Sequence, residues 1–244
     1  MIPIGKEFYH LDSVDSTNNF AAKLINDQIC QNSAVILADE QSAGKGQMGN
    51  TWESAAAANL LSSFVWKPDN LSVTDQSKIS WMISLSVHKL LLRLGIDASI
   101  KWPNDIYVGS KKIAGILIEN QLEGNHISWV IAGIGLNVNQ CQFETTNATS
   151  VQLVTGTTFR IKTILNELTD IINGYLRQWN TIEDSLKSDY ESLLYQKGQQ
   201  AVFLDTHGEF EGEILGVQDD GRLQIKVSNE LRFYSLKEIQ FCSK

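Results

Sequence analysis

Lysines and glycines carry the first hint of chemistry in this chain. Lys45 lies inside Gly44-Lys45-Gly46-Gln47-Met48-Gly49-Asn50, Lys101 opens Lys101-Trp102-Pro103-Asn104-Asp105, and Lys111 and Lys112 open the run KKIAGILIE at 111–119. Glycines at 44, 46 and 49 allow positive φ and close approach of backbone N–H groups to an oxygen-rich group, so the first segment reads as an anion-holding loop. The formal net charge of -8 opposes broad attraction to nucleic acid or to an anionic membrane surface, both of which need a positive field. An anionic ligand must then be held by a local cluster of cations, and the motifs place Lys101, Lys111 and Lys112 near one end of one sheet.

Two common phosphate loops do not fit. Gly44, Gly46 and Gly49 match G-x-G-x-x-G, but that fingerprint needs a helix opening at the loop and an acidic residue about twenty positions on, where this chain reads SSFVWKP at 62–68. A Walker loop needs Ser or Thr after Gly-Lys and a glycine where Asp39 stands; here Gly46 follows Lys45. The four histidines have no i, i+4 pairing, and Cys30, Cys141 and Cys242 form no Cys-x-x-Cys pair, so a zinc site is not expected. The start of the chain has no charged-then-apolar leader pattern, and its richest apolar stretch, 79–94, is broken by His88, Lys89 and Arg93. A cytoplasmic protein with no membrane association is expected.

The positioning elements follow from periodicity. After Asp15-Ser16-Thr17-Asn18, where a serine can cap a helix, Phe20, Ala21, Leu24 and Ile25 make a helical stripe. The β-branched run at 34–40 is a buried strand feeding the glycine loop, 59–66 is another strand, and 74–94 is a buried helix ending at Gly95. The residues before Pro103 read as a strand leaving into a turn. Segments 113–121 and 126–139 flank a turn at Gly124-Asn125 and read as an antiparallel hairpin, which implies an antiparallel or mixed sheet. Helical periodicity returns at 161–176 and 186–194, and from about Lys197 short alternating runs separated by turn residues predict a small all-β barrel.

Several ordered motifs together, DSTN at 15–18, ADEQSAGKGQMGNTW at 38–52, KWPND at 101–105, KKIAGILIE at 111–119 and GIGLNVN at 133–139, give a chain that resembles the biotin protein ligases over nearly its whole length. The resemblance implies an α+β fold of the class II synthetase-like biotin/lipoate ligase type. It has a mixed, largely antiparallel sheet with helices packed on it, in a catalytic domain at 1–195, and a C-terminal SH3-like β-barrel at 196–244. It also implies adenylation of biotin by ATP with Mg²⁺, then transfer of biotin to a lysine of a biotin carboxyl carrier protein. Biotin's carboxylate and the α-phosphate must be brought together by fixed cations, and by resemblance Lys112 is the catalytic residue that reaches both.

Ser16, Thr17, Asn18, Gln41, Gly44, Lys45 and Gly115 are implied to contact biotin, the polar groups among them serving its ureido ring. Gly46, Gln47, Gly49, Asn50, Trp52, Lys101, Asn104, Asp105, Lys111 and Asn137, with Lys45 again, are implied to contact ATP or the adenylate, Trp52 and Asn137 at the adenine and Asp105 at Mg²⁺. The glycine loop is implied to close over the reactive adenylate, with Lys45 facing the carboxyl–phosphate junction. Where many relatives have Gly-Arg-Gly-Arg this chain has Gly44-Lys45-Gly46-Gln47, so a bidentate arginine is replaced by a neutral amide and weaker adenylate retention is expected. Some members carry an N-terminal DNA-binding domain; the position of DSTN leads to the expectation of an enzyme that binds no DNA, as a monomer or weak homodimer. Lipoate or octanoate ligation on the same fold and a non-catalytic biotin-adenylate sensor are the alternatives.

Overall fold

The computed structural model describes residues 3–242. Eight strands form one sheet: β1 (Glu7–Val14), β2 (Ser33–Gln41), β3 (Leu60–Trp66), β4 (Leu71–Ser72), β5 (Ser99–Lys101), β6 (Asp105–Val108), β7 (Lys111–Glu123) and β8 (His126–Leu136). Their order is β1-β2-β3-β8-β7-β6-β5, with the short β4 beside β8. The β1–β2 pair is parallel and the others are antiparallel. A parallel neighbour needs a crossover, and helix α1 (Thr17–Asn26) supplies it.

Among the described residues six α-helices accompany the sheet: α1, α2 (Gln76–Arg93), α3 (Val151–Thr155), α4 (Ile161–Arg177), α5 (Trp179–Ile182) and α6 (Leu186–Ser192). On β2, Val35 and Leu37 enter the large core shared with α2, α4 and α6, while Ala34 and Ile36 enter a second core against α1. Successive side chains point to opposite faces of a strand, and because helices cover both faces here the strand reads as one continuous apolar run. Gly95 takes φ 76° just past α2, and Gly124 takes φ 60° in the β7–β8 turn, conformations that a side chain would penalise.

The C-terminal strands β9 (Gln200–Asp205), β10 (Gly208–Val217), β11 (Leu223–Val227), β12 (Glu230–Tyr234) and β13 (Gln240–Phe241) form an antiparallel sheet in the order β12-β11-β10-β9-β13. Among the described residues this sheet is open, because its end strands β12 and β13 do not pair with each other, so of the expected small β-barrel the strand pairing shows a five-stranded antiparallel sheet. Its interior residues Phe203, Ile214, Leu223 and Ile225 belong to the same apolar core as the main sheet. Polar contacts fasten it further: Trp102 Nε1 donates to the Gly221 carbonyl at 2.9 Å, and the Val217 N–H donates to Glu191 Oε1 at 2.9 Å. No helix among the described residues is long and apolar enough to cross a membrane.

Candidate active site

Strands β7 and β8 bring Gly115 and Gly135 opposite each other as register partners. A Cβ on Gly135 would lie 2.5 Å from the Trp52 indole, one on Gly115 2.9 Å from it, and one on Gly133 2.5 Å from Asn18 Oδ1. Glycine weakens a strand by roughly 0.5–1 kcal/mol relative to alanine, so the gain must lie in the bare floor that results. Over that floor opens a cleft between the start of the first helix, the glycine loop and strands β7 and β8. Gly133 and Gly135 were not among the expected site residues, although their alternation in GIGLNVN is a signal that could have found them, since alternate strand positions share one face.

One end of the cleft is neutral. Ser16, Thr17 and Asn18 are buried at the start of α1 and line it with Gln41. Ser16 holds the extended N-cap conformation but its hydroxyl makes no capping bond. The Thr17 N–H donates to Gln41 Oε1 at 2.7 Å. Behind this wall, Ser63 is fully buried within hydrogen-bond distance of both Thr17 and Asn18, and Asn18 Nδ2 donates to Glu119 Oε2 at 2.7 Å. Ser63 carries no motif-level signal, since it reaches the site only through strand pairing; Glu119 closes the run KKIAGILIE but was not among the expected site residues.

The other end is charged. Lys112 Nζ lies 2.7 Å from Asp105 Oδ1, both half-buried, and 5.4 Å from the centre of the Trp52 ring. The backbone holds this lysine in place, with the Lys112 N–H donating to the Asn147 carbonyl and the Lys112 carbonyl accepting from the Thr149 N–H. Lys45 lines the cleft but its ammonium donates to Asn19 Oδ1, whereas the resemblance implies that it faces the carboxyl–phosphate junction. Asn19 in turn donates to Asp15, and that hydrogen bond is the leading cause of the lowered pKa of the Asp15 carboxyl.

The cluster of three lysines is not assembled. Lys101 does not line the cleft; its ammonium sits 4.7 Å from the Tyr107 ring and 5.0 Å from the Phe241 ring. Burial there lowers its pKa, and burial pushes that of Tyr107 up to about 12. Lys111 is exposed and outside the lining, as neighbouring strand residues diverge to opposite faces. Asn104 lines the cleft, but its side-chain nitrogen is committed to the Ile116 carbonyl and its main-chain carbonyl accepts from the Ile116 N–H, so it extends the pairing of β6 with β7.

The glycine loop differs from the anion nest expected of it. Only Gly49 takes a positive φ, at 83°. Gly44 and Gly46 lack side chains because the loop folds on itself: Gly46 N–H donates to the Asn50 carbonyl, Trp52 N–H to the Gly44 carbonyl, and a Cβ on Gly44 would stand 2.7 Å from the Trp52 carbonyl. Gly46 and Gln47 line the cleft, while Gly44, Gly49 and Asn50 do not. Two buried polar atoms are left without a partner here, Trp52 Nε1 and Asn137 Oδ1. Asn137 lies outside the lining and donates through Nδ2 to the Thr149 carbonyl. Buried orphans of this kind cost roughly 1–3 kcal/mol each, which a bound ligand can relieve.

No group of three or more His, Cys, Asp or Glu side chains among the described residues could hold a metal by itself. Asp105 is the one carboxylate of the lining and is paired with Lys112. That donor set suits Mg²⁺ carried in with substrate phosphates, which ordinarily takes only one or two protein carboxylates.

A family model, the biotin/lipoate A/B protein ligase family, matches residues 10–137 and so contains every residue of the cleft lining. The chain belongs to the biotin/lipoate A/B protein ligase family. This ligase-family chain is 29% identical over 236 residues to the bifunctional ligase/repressor BirA of Bacillus spizizenii, covering 94% of this chain and 72% of that protein. It is 27% identical over 236 residues to the biotin–[acetyl-CoA-carboxylase] ligase of Mycobacterium tuberculosis, covering 93% and 87%. Among solved structures, the biotin protein ligase from Aquifex aeolicus in complex with biotin and ATP superposes with a TM-score of 0.80 at 26% identity, covering 98% of this chain and all of that one.

Proposed function

We propose that this ligase-family chain is an ATP-dependent biotin protein ligase. A carboxylate oxygen of biotin attacks the α-phosphorus of ATP and pyrophosphate leaves. The ε-amine of a carrier lysine then attacks the acyl carbon of biotinyl-AMP, AMP leaves, and the amine gives up a proton as the amide forms. The single observation that carries this reading is the two-ended cleft over the glycine floor, with a neutral hydrogen-bonding wall at Ser16, Thr17 and Gln41 and a backbone-fixed ammonium at Lys112.

The roles divide accordingly. The neutral wall receives the ureido ring, which a dithiolane such as lipoate could not satisfy; this favours biotin over lipoate. Lys112 leaves Asp105 to meet the carboxylate and the α-phosphate as their charges approach, contributing fixed charge where it develops. Trp52 and the orphaned Asn137 acceptor serve the adenine, with Gly44, Lys45, Gly46, Gln47, Gly49 and Asn50 as a cover that excludes water from the mixed anhydride. Bound with the phosphates, Mg²⁺ offsets their charge, with Asp105 as its protein ligand. Lys101, Lys111 and Asn104 act from the edge of the nucleotide site.

We assign residues 1–195 to catalysis and 196–244 to an SH3-like module, acting in the cytoplasm as a monomer or weak homodimer on a biotin carboxyl carrier protein. Labelled biotin and labelled lipoate, each offered with ATP, Mg²⁺ and a purified carrier domain, test the reading. Incorporation of biotin alone is expected; incorporation of lipoate in preference would overturn it.

A further inference from the structure

Behind the neutral end lie three short contacts and only two hydroxyl protons to fill them. Ser63 Oγ lies 2.6 Å from Asn18 Oδ1 and 2.8 Å from Thr17 Oγ1, and Thr17 Oγ1 lies 3.1 Å from Gln41 Oε1. Which contacts receive the protons depends on how the Asn18 amide is turned, because a hydroxyl has one proton to give. That amide faces two groups that can only accept: the Glu119 carboxylate at 2.7 Å and the Leu117 carbonyl at 3.3 Å. Its Oδ1 is seated against Gly133, where even a methyl group would collide with it.

With Oδ1 held toward Ser63, the Ser63 proton is committed to Asn18. The 2.8 Å contact must then be made by the Thr17 proton, so Thr17 keeps only lone pairs for the cleft. Gln41 is held likewise, its Oε1 accepting from the Thr17 N–H at 2.7 Å and its amide nitrogen turned toward Gly44. The wall thus offers an acceptor at Thr17 and a donor at Gln41, the complement of a ring N–H beside a ring C=O. Were the Asn18 amide to turn over, its Nδ2 would donate to Ser63 and Ser63 to Thr17, and the Thr17 proton would be divided between Gln41 Oε1 at 3.1 Å and the cleft, so Thr17 would no longer be held as an acceptor.

We propose that Glu119, which does not line the cleft, is a positioning residue that fixes the Asn18 amide and through Ser63 locks Thr17 as an acceptor for a cyclic urea. The proposal rests on the biotin reading and names the group that sets its selectivity. Among the described residues Glu119 reaches the cleft through Asn18, so its effect falls on biotin binding and leaves the fixed charge at Lys112 untouched.

Biotin-dependent exchange of labelled pyrophosphate into ATP, with melting temperatures measured in parallel, tests this in the full chain. Glu119→Ala is expected to raise KM for biotin by about five- to tenfold, the scale of one misdirected hydrogen bond, with kcat within about twofold. Glu119→Gln, which keeps an acceptor for Asn18, is expected to retain most of the wild-type KM. Asn18→Asp opposes two carboxylates and should raise KM further; adding Glu119→Gln to it restores the contact with its direction reversed, leaves an acceptor facing Ser63, and should bring KM back down. An unmoved KM in Glu119→Ala, or a fall in melting temperature without a change in KM, would overturn the relay while leaving the biotin reading intact. Absence of biotin-dependent exchange in the wild type would overturn both.

Discussion

The two ends of the cleft are built on opposite plans. At the neutral end Thr17, Asn18 and Ser63 are buried, and their polar atoms are joined to other protein groups by hydrogen bonds. At the charged end Lys112 and Lys45 are only partly covered, and each is held by a protein partner, Asp105 or Asn19, that a ligand anion would displace. Recognition of a neutral ring gains from groups fixed in advance, because an unpaired buried dipole is costly. A cation waiting for phosphate must avoid burial alone and exchange one oxygen partner, a carboxylate at Lys112 and an amide at Lys45, for another. The difference teaches that selectivity for the acid and power for the chemistry reside in separate groups, so each can be broken without the other.

The largest expected effect is at the charged end. Lys112→Ala should lower kcat for adenylation by on the order of 10²–10³, measured by pyrophosphate exchange, while biotin binding measured by calorimetry stays within about an order of magnitude. Next is the floor between the ends: a branched side chain in Gly135→Val meets the Trp52 indole that already lies 2.5 Å from the place of a Cβ. Biotin titration of that variant should show binding weakened by at least about tenfold, since overpacking costs typically 1–3 kcal/mol, with retained affinity counting against the glycine floor.

Smaller effects sharpen the comparison. Gln47 lines the cleft where an arginine fork could sit, and Gln47→Arg should slow release of labelled biotinyl-AMP by roughly tenfold, the scale of one added charge-assisted hydrogen bond; an unchanged off-rate would show that retention is set elsewhere. The smallest effect concerns the thiols. Cys30 is buried, and desolvation pushes its thiol up to about 11, whereas Cys141 is exposed. A maleimide at neutral pH should label Cys141 first and spare Cys30 until the chain unfolds. Because the folded pKa of Cys30 is raised, its contribution to stability is present below the unfolded thiol's pKa and is lost as pH rises toward and past about 11.

Much of the scaffold was readable from periodicity because both sheet faces are covered and α1 and α4 each carry one apolar stripe, while α2 is a long apolar run buried on most sides. The stripe of Ile164, Leu165, Leu168, Ile171 and Ile172 appears intact in α4, and the Gly124-Asn125 turn lies where the hairpin required it. Strand β1 was missed because its residues alternate between partial and full exposure, so EFYHLDSV offers no apolar run, and its parallel partner is separated from it by a helix. The site was legible in its motifs and less so in its directions. Lys111 and Lys112 are adjacent in sequence yet only Lys112 turns into the cleft, and Lys101 is drawn aside by two aromatic rings, one of them from the last strand of the chain. The loop glycines were read as serving a ligand when two of them make room for the loop's own backbone.

The most direct measurement is biotin-dependent exchange of labelled pyrophosphate into ATP, with Mg²⁺, for the wild type beside Lys112→Ala. Exchange by the wild type that falls by at least about 10² in the variant, with biotin still bound, is the predicted result. Wild-type exchange that is absent, or exchange in which Lys112→Ala matches the wild type, would contradict the assignment of the adenylating cation to the charged end of this cleft.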